Sequence, residues 1–478
     1  MKIVSSHDAE NLPADLKQQA YNVMDCVVPM EIVPRLMAEA DEDELRVYRF
    51  ERAMQGPAFT MAVRGICVDE AACQPEIERL AEQEKVCVRI LDRFAEVWEF
   101  DKRFPLTKAQ QRPMLKEWGY GRFNPLSHKQ VKQFLYDVCE EKPYHNRKAK
   151  GEDTTTANED ALLDISIRSP LIGVIATTIL RVRELRKAMG FIKAKRSPDG
   201  RLRCSFNVGA TKFGRWSSTT NCYKDGLNFF NLPREARKIL VPSKPSRVMV
   251  NIDLKQAESN TVAHIAQDVA YIAAHKSGNV HTAVACDVLG MSPEKVKAKG
   301  KDTGSPYWKA KRLQHGTNYG LGERHAARMM GVRVGLMRKL RRLYFTKYKG
   351  VAKRIENMPK RLREDPRFLS FMGRPHVFMG HWNDHEVIKS ALSEEPQGGV
   401  ADILNKILYR LWYKYDDKII WLLNTNYDSI LFEAEEEGLD ETLELVKAEM
   451  HEPVEIEGKI MCLGYDIGIG KNWQEASS

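Results

Sequence analysis

The sequence contains no Cys-x-x-Cys pair, and its nine cysteines, an odd number, are scattered from Cys26 to Cys462. That spacing excludes a zinc ribbon or a disulfide framework and fits thiols kept reduced in a cytosol. No apolar run approaches the roughly 20 residues needed to span a bilayer. The first ten residues, Met1 to Glu10, carry no apolar stretch of the kind that directs secretion. The expectation is a cytoplasmic chain with no membrane partner. Internal repeats and low-complexity tracts are also missing, which argues against a solenoid or a long disordered linker. Charge of one sign is in only modest excess: 74 Lys and Arg against 65 Asp and Glu leave +9. Such a balance permits a polyanionic partner without requiring one.

What is present is a 478-residue chain, 43% hydrophobic, longer than one ordinary domain and able to bury a large core. Helical spacing is expected over 12–40, 75–100 (Leu80, Val86, Ile90, Leu91, Phe94, Trp98), 127–138 with Ser127 as N-cap, 159–188, much of 256–365, 397–415 and 439–451. Gln55-Gly56-Pro57 reads as a break, and Lys148 to Thr156 as a loop. Strands are expected at 202–208 and 247–254, as a hairpin over 419–434, and near 459–467. The sum is an α+β protein, mostly helical around a small antiparallel sheet.

Two aspartates stand at the ends of apolar strand-like runs: Asp253 after Arg247-Val-Met-Val-Asn-Ile, and Asp428 inside Ile419 to Glu433. Carboxylates so placed suit hard divalent cations, which could activate one oxygen and stabilise a leaving one. Between them, Tyr307, Lys311, His315 and Tyr319 recur every four residues, one face of a helix. From Lys309 to Arg363 basic residues return every few positions. Alone, each of these residues has a plainer reading: a capped turn, a solvated lysine, a core histidine or aromatic. Together they read as a nucleotidyl transferase with a phosphate-facing surface.

At these residues the chain resembles the family A DNA polymerases. Asp253-Leu-Lys-Gln256-Ala-Glu258, with His264 and Asp268, is similar to that family's motif A. Lys311 to Gly320 resembles motif B, and Tyr427-Asp428-Ser429 stands where motif C has His-Asp-Glu. Val280-His281-Thr282, Phe213-Gly-Arg215-Trp-Ser-Ser218, Leu227-Asn228-Phe-Phe-Asn231-Leu-Pro233, Phe123-Asn-Pro-Leu-Ser127-His-Lys-Gln130, Gln397-Gly-Gly-Val-Ala-Asp402 and Gly470-Lys-Asn-Trp473 follow family patterns in the same order. The likeness runs colinearly from about residue 50 to the C-terminus.

The resemblance implies a right-hand fold. Its palm would comprise 51–70, 211–255 and 397–478 with the C-terminal strand, its thumb 71–210 and its fingers 256–396, behind a helical N-terminal extension at 1–50. It implies primer-dependent, template-directed DNA synthesis from dNTPs, with two Mg²⁺ ions (Mn²⁺ as a substitute) held by Asp253, Asp428 and the Leu254 carbonyl. Lys311 would meet the triphosphate, in a dNTP site with Gln256, Glu258, His281, Tyr307, His315 and Tyr319. His315 would stack on the incoming base or sugar, and Glu258 with Tyr319 would fill the space of a 2′-hydroxyl. Arg215, Asn228, Asn231, Gln397 and Tyr427 would contact the primer-template.

Several positions depart from the pattern. Tyr307 replaces the arginine that opens motif B, which moves one phosphate contact, with Lys309 and Arg312 the candidates to receive it. Asn260 replaces an arginine in motif A, Phe230 replaces a glutamine, and motif C keeps only its aspartate. A complete 3′–5′ exonuclease is not expected before residue 50. Tyr21-Asn-Val-Met-Asp25 fits one of its motifs, on an apolar helix read as packing against the palm, while Asp8-Ala-Glu10 is a chance match. A phage-type enzyme without its own proofreading, in a bacterial host cytoplasm, is the expectation. A separate exonuclease chain or a processivity factor remains an open partner. The alternatives are a single-subunit RNA polymerase, against which Glu258 speaks, and a non-catalytic DNA-binding relic.

Overall fold

The computed structural model describes residues 14–147, 153–221, 225–301 and 304–477. Its centre is a four-stranded sheet of β1 (Arg247–Leu254), β2 (Ile420–Asn426), β3 (Ser429–Glu435) and β4 (Tyr465–Gly470), in the order β2-β3-β1-β4 with every pair antiparallel. β1 lies inside the sheet and is covered on both faces, so its residues form a near-continuous apolar run.

Among the helices of the described residues, those that frame the cores and the site are α1 (Ala14–Glu39), α2 (Glu42–Arg64), α3 (Glu70–Val97), α4 (Pro170–Ile192), α5 (Ala257–Ile265), α6 (Val280–Leu289), α7 (Pro306–Asn318), α8 (Val334–Lys347) and α9 (His385–Tyr415). The buried side chains gather into three large clusters. One joins the sheet to α2, α9 and the near ends of α3 and α4. A second fills 262–351, and a third fills 88–182. Cys73 and Leu80 of α3, and Leu185 to Ile192 of α4, belong to the sheet's core. Their other halves, Val88 to Ala95 of α3 and Ile172 to Val182 of α4, belong to the third cluster, so both helices cross from one core into another.

Sequence reading erred where tertiary packing overrides local preference. Gly56-Pro57 does not break α2, which continues to Arg64. Gly56 leaves room for the Trp412 ring, which a Cβ there would overlap. The Thr60 hydroxyl donates to the Gly56 carbonyl at 3.0 Å. Met54, Ala58 and Met61 are fully buried on the same helix; each contributes burial worth about 1–3 kcal/mol, against a proline cost of about 3 kcal/mol. On α3, Val86 and Ile90 face outward while Glu76 and Glu84 are buried. The two acids tolerate burial because Arg79 pairs with the first and Arg186 with the second, the latter at 2.8 Å. Asp153–Thr156 pairs with Tyr144–Arg147 as a hairpin, so the end of the expected loop is strand. Residues 133–138 form a π-helical turn, and α9 starts twelve residues earlier than expected.

α1 matches its expected span, but Val23, Val28, Met30, Ile32, Val33 and Leu36 are exposed on it. It does not bury that face as a palm-packed helix would. Asp25 is exposed. The Tyr21 side chain, Asp8 and Glu10 lie outside the described residues.

Candidate active site

β1 ends at a cleft of about 600 Å³. Every side chain of the strand is buried except Asp253. In the sheet register Asp253 lies between Ser429 of β3 and Asp466 of β4. The turn joining β2 to β3 holds Tyr427 and Asp428, and the Asp428 carbonyl accepts the Leu254 N–H at 2.8 Å. Backbone pairing alone thus brings the two expected aspartates to one edge. Although its side chain opens into the cleft, the surrounding walls keep bulk water from the Asp253 carboxyl, and this desolvation pushes it up to about 6, helped by Asp428 and Asp466 and opposed by Lys311 and Arg237. Asp428 is raised as well, by burial first and then by Glu258. Asp466 was not legible beforehand, because its place opposite Asp253 depends on a register that one sequence does not reveal. Its charge is paired with Lys255 at 2.5 Å.

Crowded, half-desolvated carboxylates are what a divalent cation relieves. Among the described residues no group of three or more His, Cys, Asp or Glu side chains is arranged to hold a metal. Two carboxylates on one edge of the cleft are oxygen donors of the kind a hard ion takes, with backbone carbonyls, water and phosphate oxygens to complete its shell.

The opposite wall is α7. Ser305 caps it, accepting the Trp308 N–H at 3.2 Å, and Pro306 opens its first turn. Ala310, Leu313, Gln314, Thr317 and Asn318 are buried, so the expected row turns outward and Tyr307, Lys311 and His315 border the cleft. Tyr319 does not. His281 of α6 is buried beside them, its ring 5.3 Å from Tyr307 edge-on and 6.0 Å from His315. Its Nδ1 lies 2.6 Å from Gln314 Oε1. Burial lowers His281 to about 4; the Gln314 bond opposes this, and His315, Lys311 and Lys301 reinforce it. His315 is lowered too, mainly by burial.

Beneath this face runs a buried polar network that sequence reading missed. The Gln314 amide donates to the Tyr271 hydroxyl, Asn318 Nδ2 donates to the same oxygen at 3.0 Å, and the Tyr344 hydroxyl donates to Asn318 Oδ1 at 2.8 Å. Buried polar groups so fully paired fix rotamers as well as stability. Only the polar side chains on the inner face of a helix hinted at it.

Glu258, in the first turn of α5, is held from two sides. Arg215 forms an ion pair with it, and the Tyr319 hydroxyl donates to its Oε2. That places Arg215, expected at DNA, and Tyr319 on one carboxylate. Arg215 also lies over the Tyr427 ring at 5.3 Å. Gln256 has left-handed backbone (φ 50°), and its Oε1 accepts the Val280 N–H at 3.1 Å, tying the turn after β1 to the start of α6. Asn228 caps its own turn, accepting the Phe230 N–H at 3.0 Å and the Ser218 hydroxyl at 2.7 Å. Asn231 is exposed and Gln397 half-buried. Tyr427 is exposed, and it packs edge-on against Phe230 at 5.4 Å. Two departures from the motif pattern thus contact each other. Lys309 and Arg312 do not reach the cleft: Arg312 lies over Trp308 at 4.5 Å, and Lys309 borders a separate hollow with Leu289 and Leu340.

No helix of the described residues is long and apolar enough to cross a membrane. A family model for DNA polymerase family A matches residues 103–475. DNA polymerase I of Lactococcus lactis subsp. lactis is 28% identical over 375 residues, covering 74% of this chain and 40% of that protein. DNA polymerase I of Bacillus caldotenax is 24% identical over 422 residues, covering 84% and 45%. The chain thus spans less than half the length of these curated relatives. A solved structure, the POL domain of Pol1 from M. smegmatis in complex with DNA primer-template and dNTP, aligns at a TM-score of 0.69 and 20% identity over 90% of this chain and 70% of that one. The fold is accordingly the right-hand polymerase fold. A family match that spans the strand, helix and hairpin of the cleft leads to one conclusion: this chain belongs to DNA polymerase family A.

Proposed function

We propose that the chain is a primer-dependent, template-directed DNA polymerase that adds dNTPs by two-metal phosphoryl transfer. The observation that carries this reading is one cleft with Asp253 and Asp428 on one wall and Lys311, His281 and His315 on the other. The central core is the palm, the 262–351 cluster the fingers and the 88–182 cluster the thumb. Asp253, Asp428 and the Leu254 carbonyl would hold two Mg²⁺, which when bound supply charge neutralisation at the attacking and leaving oxygens.

The chain's own part is positioning. Lys311 meets the triphosphate as a point charge. His281, neutral because burial and nearby cations hold it down, is fixed in one ring orientation by Gln314. His315 offers a flat ring to the base or sugar. Glu258, clamped by Arg215 and Tyr319, forms a rigid barrier beside the 2′ position, which favours deoxynucleotides over the RNA polymerase alternative. Asn231, Gln397 and Tyr427 line the primer-template path.

Proofreading is proposed to be absent from this chain. The exposed apolar face of α1, next to Asp25, leaves a place for a separate exonuclease chain. Primer extension with Mg²⁺, comparing dNTPs with rNTPs and matched with mismatched 3′ ends, tests the whole reading. Extension with dNTPs and no excision of a mismatched end is expected. DNA binding without extension would establish the relic instead.

A further inference from the structure

A triphosphate needs several cations, and the face of α7 supplies one fewer than the motif pattern asks, because Tyr307 stands one turn before Lys311. The cleft nonetheless holds a second lysine. Lys301, from the segment before α7, borders the same cleft as Asp253, Lys311 and His281. Its Nζ lies 5.7 Å from the centre of the Tyr307 ring. Among the described residues it has no carboxylate partner, whereas Lys255 nearby is paired with Asp466. Its charge reaches far enough to depress His281.

We propose that Lys301 and Tyr307 together replace the missing motif cation: the Tyr307 ring seats the Lys301 ammonium, which binds the distal phosphates of the incoming nucleotide. An ammonium over a tyrosine face is attracted by the ring's quadrupole, so the aromatic restrains a flexible lysine without cancelling its charge. A point charge on a long stem serves a phosphate tail well, since a bidentate fork is not required. Lys309 and Arg312, the neighbours that sequence spacing suggested, are excluded by direction: one faces another hollow and the other covers Trp308. Behind the Lys301–Tyr307 pair a second hollow of about 790 Å³ opens, sharing Gly278, Asn279, Lys301 and Tyr307 with the cleft. The tail has room on that side.

This inference rests on the polymerase reading for the identity of the ligand, and two measurements separate their fates. In calorimetry, inorganic tripolyphosphate with Mg²⁺ is titrated into the full chain, which requires no catalysis. Lys301→Ala should weaken binding about tenfold, the loss of one charge-assisted contact. Lys301→Arg should restore it, and Lys309→Ala and Arg312→Ala should leave it unchanged. In single-nucleotide incorporation, Lys301→Ala should raise the KM for dNTP by a similar factor with kcat within about twofold, the mark of lost ground-state binding. Tyr307→Ala should act as a weaker Lys301→Ala in both measurements, and Tyr307→Phe, which keeps the ring face, should lose less than Tyr307→Ala. Unchanged tripolyphosphate binding by Lys301→Ala overturns the inference. Failure of the wild-type chain to extend a primer overturns the polymerase reading, and the calorimetry still decides Lys301.

Discussion

The two walls of the cleft are built by different means. On the sheet side, Asp253 and Asp428 are fixed by backbone: a buried strand, an antiparallel register and one hydrogen bond from Leu254 to Asp428. On the helix side, His281 is held by Gln314, the first member of a buried chain with Tyr271, Asn318 and Tyr344, and Lys311 and His315 stand on the helix that carries Gln314 and Asn318. A ladder of backbone bonds is indifferent to most side-chain changes, while a buried polar network fails when one member is lost. The sheet wall should therefore tolerate trimming everywhere but at its carboxylates. The helix wall should be sensitive at residues that never touch substrate.

The largest effect expected is at the carboxylates. Asp253→Ala or Asp428→Ala should cut extension by about a thousandfold or more, with DNA affinity within a few-fold because phosphate contacts dominate it. Single-turnover extension beside a gel-shift titration measures both, and near-normal turnover in either variant would remove these residues from the site. Next comes the contrast between the walls. Gln314→Leu should lower kcat/KM for dNTP by roughly 10–100-fold through His281 and Tyr271. Ile252→Val, under the sheet wall, should cost about 1 kcal/mol of stability and leave kinetics unchanged. Equal kinetic effects would erase the distinction drawn here.

Glu258→Ala should weaken discrimination against ribonucleotides by about tenfold, since its volume, held by Arg215 and Tyr319, is what excludes a hydroxyl. Equal discrimination ratios in wild type and variant would assign sugar selection elsewhere. A smaller effect should show in stability. The Asp253 carboxyl is raised from 3.8 to about 6. Below pH 3.8 both folded and unfolded chains are protonated there. As pH rises past 3.8 towards 6 the unfolded chain ionises first, and stability falls. Without added metal at pH 7, Asp253→Asn should then be more stable by about 1 kcal/mol after allowance for solvent screening. That gain should vanish near pH 4 in thermal melts; a constant gain at both pH values would refute the charge account. Least of all, His315→Phe should keep activity within about threefold, as stacking needs a flat ring rather than a proton. If only His315→Tyr survived, a hydrogen bond would be the better explanation.

The sequence by itself determined the central strand and hairpin, the row of Tyr307, Lys311 and His315, and the family likeness. These are written in local periodicity: an apolar run ending in Asp253, and side chains spaced by one helical turn. Other features came only with the tertiary structure, because they join residues far apart in the chain. Arg215 pairs with Glu258, and Asp466 faces Asp253 on the neighbouring strand. The continuation of α2 through Pro57 was likewise decided by Trp412 and the core, since a local breaking tendency of a few kcal/mol yields to burial of several side chains. Short-range pattern fixes which residue types stand on which face, but register and packing decide which faces meet.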